Sequence, residues 1–463
     1  MSERTLAERL ACYASRLRYE DLPPQVVHEV KRRFIDSFAT ALGAWHAEAH
    51  QIARRCALRI RSLPPCTLLG GGQTSPEWAT FVNGLLVRFL DFNDTYLSLE
   101  PAHPSDNLSA IWAVGEWVGA CGRDLITAAA LAYEVQCRLC DAASLRKHGF
   151  DHVVYGAFSS CLAACKLLQL DEKRTVHALG IAGVSNVALR QTRAGELSMW
   201  KGCAFAHAAR NGVFAALLAA EGLTGPAPIF EGELGFMKLI TGPFRLAPLA
   251  AENGPASPDD FMIRRTYIKY WPVEYHAQSA VEAALQLRPQ ISRLEDIEHI
   301  DVFTFDAAVD IIGKDPEKWR PRTRETADHS LPYCIAVALY DGQVTLDSFD
   351  ERHLHDSALL ELVAKVRVHR DATLSARYPK SIPNRIVIHL RGGTSLTAEV
   401  EFPRGHACNR MTDSELEQKF RSLVTPLYGA DRTAHLLASL WQVEEIAHAK
   451  SLMEMFQFIP AEE

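Results

Sequence analysis

Long apolar runs are missing from this sequence. No stretch reads as the ~20 predominantly apolar residues that a membrane span needs, so no membrane partner is expected. The first residues, MSERTLAERLACYASRL, are charged and patterned for a helix, without the apolar centre of a secretory signal. An excess of positive charge is also absent. The net charge is −7 and the pI about 6.2, which argues against a nucleic-acid or membrane-surface binder. There is no His-Glu-x-x-His, no pair of Cys-x-x-Cys blocks in loops and no Gly-x-Ser-x-Gly elbow. The triple glycine at 70–72 is not followed by Gly-Lys-Ser/Thr, so it reads as a turn and not a phosphate cradle. Internal repeats and low-complexity segments are lacking too.

The chain has 463 residues, 48% of them hydrophobic and 23% charged, enough for two or three domains around ample cores. Its eleven cysteines are scattered through apolar helical stretches. They read as buried, reduced thiols in a cytoplasmic protein. Cys137 and Cys140, inside LAYEVQCRLCDAA, are weighed as iron–sulfur ligands and set aside, because cluster motifs lie in loops with further ligands nearby.

The richest stretch is Arg88 to Asn107, RFLDFNDTYLSLEPAHPSDN. It lies between two apolar helical patterns and gathers Asp91, Asp94, Thr95, Glu100, His103, Ser105 and Asp106. Pro101 and Pro104 bracket His103, which places it in an irregular, stiffened turn. The following SDNLSAIWAVGEWVGA opens with N-cap residues, so the loop is expected at a helix N-terminus, a favourable place for an anion.

Residues 3–18 and 24–44 read as amphipathic helices, the second opened by Pro23 and Pro24. From 76 to about 222 the chain is a succession of Ala/Leu-rich helices whose small residues imply close packing. After about 265 the pattern changes. Residues 299–305 and 364–370 alternate as strands, and RIVIHL-RGG-TSLTAEVEF is a hairpin signal. Helix returns with Thr412 and Glu415 in a capping box. The expected organisation is a mostly α protein with three segments: 1–266 as the first part of a helical domain, 267–404 as an α+β domain, and 405–463 as a helical segment that packs back on the first.

The candidate chemistry lies in polar loops at the edges of apolar helices. Asp91, Thr95 and His103 are in the first loop, and His152 is in GFDHVVYG. Arg190, Arg193 and Lys201 fall within 189–202, Lys269 and His276 in YIKYWPVEYHAQ, and His329 and Tyr333 in DHSLPY. Abstraction of a proton beside a carboxylate needs a positioned base and cations for the enolate-like charge. A tricarboxylate also needs several Arg or Lys contacts. Each residue has a plainer reading: a loop histidine as a structural hydrogen-bonder, Lys201 and Lys269 packed along aromatic neighbours, the arginines as helix C-caps, Tyr333 as core. His103 with Asp91, Asp94 and Asp106 offers an oxygen-rich set, but spacing alone does not make a metal site, and none is expected.

Taken together and in order, these segments resemble the MmgE/PrpD family over nearly the whole chain. The family's DF-x-D-T then His-Pro-Ser is similar to Asp91–Thr95 and His103–Ser105. Its lysine before a small-residue helix is similar to Lys201, its K-x-x-P segment to Lys269–His276, its His-Ser-x-x-Tyr to His329–Tyr333, and its Gly-His to Gly405–His406. The resemblance implies a helical domain built from both termini, an inserted α+β lid with a cleft between the two, a homodimer, and no cofactor or iron–sulfur cluster. It implies Asp91, Thr95, His103, His152, Lys201, Lys269 and Tyr333 as catalytic residues, with Arg190, Arg193, His276 and His406 as substrate contacts. His103, oriented by Asp91, is the expected base, with His152 and Tyr333 open alternatives. Leu189-Arg190-x-x-Arg193, Asp151-His152-Val153 and PVEYHAQSAVEAA resemble the methylcitrate-dehydrating branch. The implied reaction is dehydration of 2-methylcitrate, with citrate as a second substrate candidate, to 2-methyl-cis-aconitate. The alternatives are iminodisuccinate epimerisation, cis-aconitate decarboxylation, or carboxylate binding without catalysis.

Overall fold

The computed structural model describes residues 4–195 and 197–458; residue 3, at the edge of the first expected helix, lies outside them. The fold is mostly α and divides into two compact units. The first joins Met1–Thr266 to Thr412–Glu463, and the second is Tyr267–Met411. The return to the first unit falls at Thr412, later than the expected 405. Two hydrogen bonds hold the intervening residues in the second unit: Ile268 N–H donates to the Gly405 carbonyl (3.1 Å) and Arg404 N–H to Glu282 (2.7 Å). Gly405 has φ +94°, and a Cβ there would sit 1.9 Å from the Ile268 carbonyl oxygen, so only glycine fits.

In the first unit α1 (Leu6–Arg16) is opened by a Thr5–Glu8 capping box. α2 (Pro24–Gly43) has proline at its first position, followed by α3 (Glu48–Ala57). The short strands β1 (Cys66–Thr67) and β2 (Gln73–Thr74) pair antiparallel around the triple glycine, whose φ values of 77°, 117° and 85° make it the expected turn. Then come α4 (Pro76–Phe89), α5 (Leu108–Val118), α6 (Gly122–Ala142), α7 (Val153–Leu167), α8 (Glu172–Ser185) and α9 (Trp200–Ala220). α9 packs against α4, α7 and α8. A Cβ on Gly212 would lie 2.6 Å from the Ala157 carbonyl oxygen, which shows how closely α7 and α9 approach. By length and composition α9 is apolar enough to cross a membrane, contrary to the expectation that no such stretch exists; most of it is buried among its neighbours, as in a core helix.

In the second unit α10 (Gln278–Leu287) packs on a four-stranded sheet. Its strands are β3 (Ile297–Thr304), β4 (Val366–Arg370), β5 (Asn384–Leu390) and β6 (Ser395–Val400), in the order β4-β3-β5-β6. The β5–β6 hairpin matches the expected one, and β3 pairs parallel with β4. Helices α11 (Leu331–Asp341) and α12 (Ser357–Ala364) complete the unit.

The C-terminal helices α13 (Asp413–Tyr428), α14 (Ala430–Trp441) and α15 (Ala449–Met455) rejoin the first unit. α13 starts at the expected Thr412–Glu415 capping box and packs on α2. There Lys419 pairs with the buried Asp36 (2.7 Å) and donates to the Phe92 carbonyl (2.8 Å), tying the end of the chain to the Arg88–Asn107 loop. All the cysteines are unpaired, and burial pushes the Cys137 and Cys140 thiols well above their ordinary value.

Candidate active site

The loop between α4 and α5 is held from within. Tyr96 and Ala102 exchange two backbone hydrogen bonds of 2.8 and 2.9 Å and close it into a small hairpin. Asp94 anchors the rest: its carboxylate accepts from Ser105 N–H (2.9 Å) and the Tyr133 hydroxyl (2.7 Å), with Arg33 Nε at 3.4 Å. Pro104–Asn107 is a single 3₁₀ turn ahead of α5. At this helix N-terminus, expected to favour an anion, the Ser105 N–H is taken by the chain's own Asp94 carboxylate.

His103 stands at the start of that turn. Its Nδ1 donates to the Asp94 carbonyl (2.7 Å), with the Thr95 hydroxyl at 3.2 Å. Arg88 Nη2 donates to its Nε2 (3.1 Å). A guanidinium can only donate, so Nε2 carries a lone pair and the ring is the neutral Nδ1–H tautomer. The orienting contact expected from Asp91 is thus supplied by Asp94 and Thr95. Asp91 instead binds Arg88 Nη1 (2.5 Å) and lies 3.4 Å from Lys201 in the first turn of α9. Asp91 has φ 51°, a conformation that costs a residue with a side chain about 1–3 kcal/mol and is kept only where the surroundings dictate it.

His152 is the residue just before α7, and its ring lies 5.7 Å from that of His103, tilted by 61°. Its Nδ1 is 2.9 Å from Asp151 Oδ1, to which Arg193 Nε also donates (3.1 Å). The carboxylate draws the ring proton to Nδ1. Burial and then the Arg193 charge hold the imidazole below its ordinary value, so it is neutral. Its Nε2 is buried and has no hydrogen-bond partner among the described residues, nor has Arg193 Nη2. Despite its burial, the Asp151 carboxyl lies well below the usual range, because Arg193 and His152 favour its charge.

Asp106 is the exception. Burial pushes it up to about 8 against the opposing pull of Arg88, and one oxygen accepts from Asn93 (2.7 Å). At neutral pH it is largely protonated. Arg88, Arg193 and Lys201 thus lie with Asp91 and Asp151 around the two imidazoles.

A second cluster lies in the other unit. Glu274 accepts from His276 Nδ1 (2.7 Å) and from His276 N–H. Burial opposes its charge, but His276, His329 and Lys269 hold its carboxyl down to about 2. His329 in turn contacts Asp328 through Nδ1.

Three further expected site residues have these contacts. The Tyr333 hydroxyl donates to the Ser348 carbonyl (3.0 Å) within the buried core around α11, so it serves packing. His406 stacks on Tyr267 (4.4 Å), accepts from Cys408 N–H, and is pushed down to about 4 by burial, as a structural histidine would be. Arg190 sits in a 3₁₀ turn, half-buried, with its backbone N–H on Gly149. Conversely, Arg88, Asp151 and Glu274 were not singled out. Their signal was proximity to a chosen residue: three before Asp91, one before His152, two before His276.

A buried carboxylate behind a neutral imidazole, whose far nitrogen has no hydrogen-bond partner among the described residues and has guanidinium groups alongside, defines a class: proteins equipped to move a proton next to an anionic group. The chain belongs to the MmgE/PrpD family, whose N-terminal domain matches residues 8–248 and C-terminal domain residues 271–443. It is 30% identical to a 2-methylcitrate dehydratase of Cupriavidus necator over 429 residues, covering 83% of this chain and 86% of that protein. It is 29% identical to the 2-methylcitrate dehydratase of Escherichia coli K12, covering 75% of each chain. A fungal alkylcitrate dehydratase is 32% identical, covering 75% of this chain and 72% of its own length.

Proposed function

We propose that the protein is a hydro-lyase of the citrate-dehydratase type, and that 2-methylcitrate is its substrate. The observation that carries this reading is the Asp151–His152 pair with its open Nε2 amid Arg88, Arg193 and Lys201. The names of the relatives support the reaction class.

In this mechanism His152 Nε2 takes the proton from the carbon beside a substrate carboxylate, and Asp151 stabilises the imidazolium that forms. The electron pair left on carbon forms the double bond as the neighbouring C–O bond breaks; the leaving oxygen departs as water with a proton from solvent, to which His152 later returns the one it took. Arg193 Nη2 and Lys201 hold carboxylates and take up the enolate-like charge. His103, fixed as the neutral tautomer by Asp94 and Arg88, holds Arg88 and the loop in place, and the Thr95 hydroxyl beside it orients the substrate hydroxyl. None of these steps calls on a cofactor.

Proton NMR of the product from 2-methylcitrate, citrate and cis-aconitate tests the class. A new unsaturated acid from 2-methylcitrate with no release of carbon dioxide is expected. Carbon dioxide from cis-aconitate, or an isomerised amino dicarboxylate without a double bond, would replace this reading with decarboxylation or epimerisation.

A further inference from the structure

On the half-exposed face of the sheet, three imidazoles converge on one carboxylate. Asp301 of β3 has His369 Nε2 of β4 at 2.7 Å on one oxygen. Its other oxygen has His389 Nε2 of β5 at 3.1 Å and His299 Nε2 of β3 at 3.4 Å. His299 and Asp301 are two residues apart and share a face of β3, and His299 is the direct cross-strand partner of His389. Their rings stack at 4.2 Å with 15° between planes. The register between β3 and β5 shifts at Ile297/His299, the kind of irregularity that re-aims a side chain. Ser395 Oγ lies 2.9 Å from His389 Nδ1 and fixes that ring. The Nδ1 of His299 is buried and without a hydrogen-bond partner among the described residues. The ligand atoms of His299, Asp301 and His389 all lie within 4.8 Å of one another. Their side chains are 19%, 17% and 31% exposed, so the group is open enough for an ion to enter.

A carboxylate that meets three imidazoles through their Nε2 atoms needs a proton on each ring for the contact to be favourable. One cation between the rings and the oxygen satisfies the same lone pairs at once. The donor set is two nitrogens and one oxygen on paired strands. It suits zinc, cobalt, nickel or copper, and not the all-oxygen preference of magnesium or calcium. We propose that His299, Asp301 and His389 bind one divalent transition-metal ion. His369 on the opposite carboxylate oxygen orients Asp301, and water completes the coordination. Binding displaces the protons shared between the rings and the carboxylate, and it pins β3 to β5. Neither this cluster nor its ion takes part in the chemistry proposed above.

Cobalt(II) is the probe. The full chain, stripped with chelator, is titrated with Co²⁺, and the visible d–d bands are followed, with Zn²⁺ as competitor. One Co²⁺ per chain is expected, displaced by Zn²⁺. Affinity should fall at least tenfold in Asp301→Asn and in His389→Gln, and about tenfold in His369→Gln. The Cys56→Ser/Cys408→Ser variant, which removes the two exposed thiols, should bind as the parent does. X-ray absorption of the zinc-loaded parent needs no variant to fold and should show a nitrogen/oxygen shell without sulfur. Absence of stoichiometric binding, binding undiminished in His299→Gln/His389→Gln, or a sulfur shell would overturn the proposal.

Discussion

His152 and His103 lie side by side, yet their surroundings set them apart. Both are neutral, but Arg88 already donates to His103 Nε2, whereas His152 Nε2 has no partner among the described residues. The account therefore expects His152→Ala to lose about 100-fold or more in kcat, and His103→Ala to act chiefly through KM and orientation. Burial and Arg193 both favour the neutral form of His152. The acid limb of kcat/KM should thus fall below about 6.5, the ordinary imidazole value, and Arg193→Gln should move it up. A limb that stays put in Arg193→Gln would remove Arg193 from the site. Tyr333→Phe, which loses only the bond to the Ser348 carbonyl, should leave kcat near that of the parent and lower thermal stability slightly, at a cost of about 1 kcal/mol. His103, His152, Lys201, Arg193 and Asp91 were legible as candidates because each is a reactive type in a polar loop, and the structure brings them together. Tyr333 and His406 were candidates on the same ground, since a hydroxyl on a buried carbonyl and a stacked histidine look the same in sequence as groups that meet a substrate. Arg88 stayed hidden because it closes an apolar helix, where a basic residue reads as a routine partner for the helix dipole.

Between residue and molecule, the Arg88–Asn107 loop is the element on which the site depends. Its anchor is Asp94, and its outer support is Lys419 on α13, which arrives more than three hundred residues later in the chain. Lys419→Ala leaves Asp36 buried without its partner. It should cost about 3 kcal/mol and be seen as a lower denaturation midpoint, together with reduced activity as the loop loosens at Phe92. An unchanged midpoint would mean that the Asp36–Lys419 pair does not hold α13 to α2. The helical patterns, the β5–β6 hairpin and the Thr412 capping box were legible because each depends on local periodicity or capping. The loop's interior was not, because Asp94 accepts from Tyr133 and pairs with Arg33, both distant in sequence, and takes the Ser105 N–H at the turn where an anion was favoured. The length of the apolar helix α9 was underestimated. Its apolar length matches a membrane span, and only its packing against α4, α7 and α8 shows what covers it.

At the scale of the whole molecule, acid stability follows from buried histidines. His50 and His406 are both pushed down to about 4 by burial. Between about 6.5 and 4 the unfolded chain takes up protons that the folded chain does not. Stability from these groups is therefore complete above the ordinary imidazole value and lost as pH falls towards 4. The melting temperature should drop between pH 7 and pH 5, and less so in His406→Phe. The homodimer expected from the family resemblance is a proposal that sedimentation can test. Val184, Val187, Leu189, Met199, Trp200 and Phe214 are exposed apolar side chains on α8, α9 and the segment joining them, and Phe214→Glu should shift a dimer towards monomer if a second copy covers them. The central claim is that His152 moves a proton beside a carboxylate to make a double bond. The most direct measurement is the rise of unsaturated-acid absorbance when 2-methylcitrate is added to chelator-treated protein, beside His152→Ala and with citrate as the comparison. A steady rise in the parent, lost in a folded His152→Ala, is the result the account predicts. A rise of equal rate in His152→Ala, or none from either acid in folded parent protein, would contradict it.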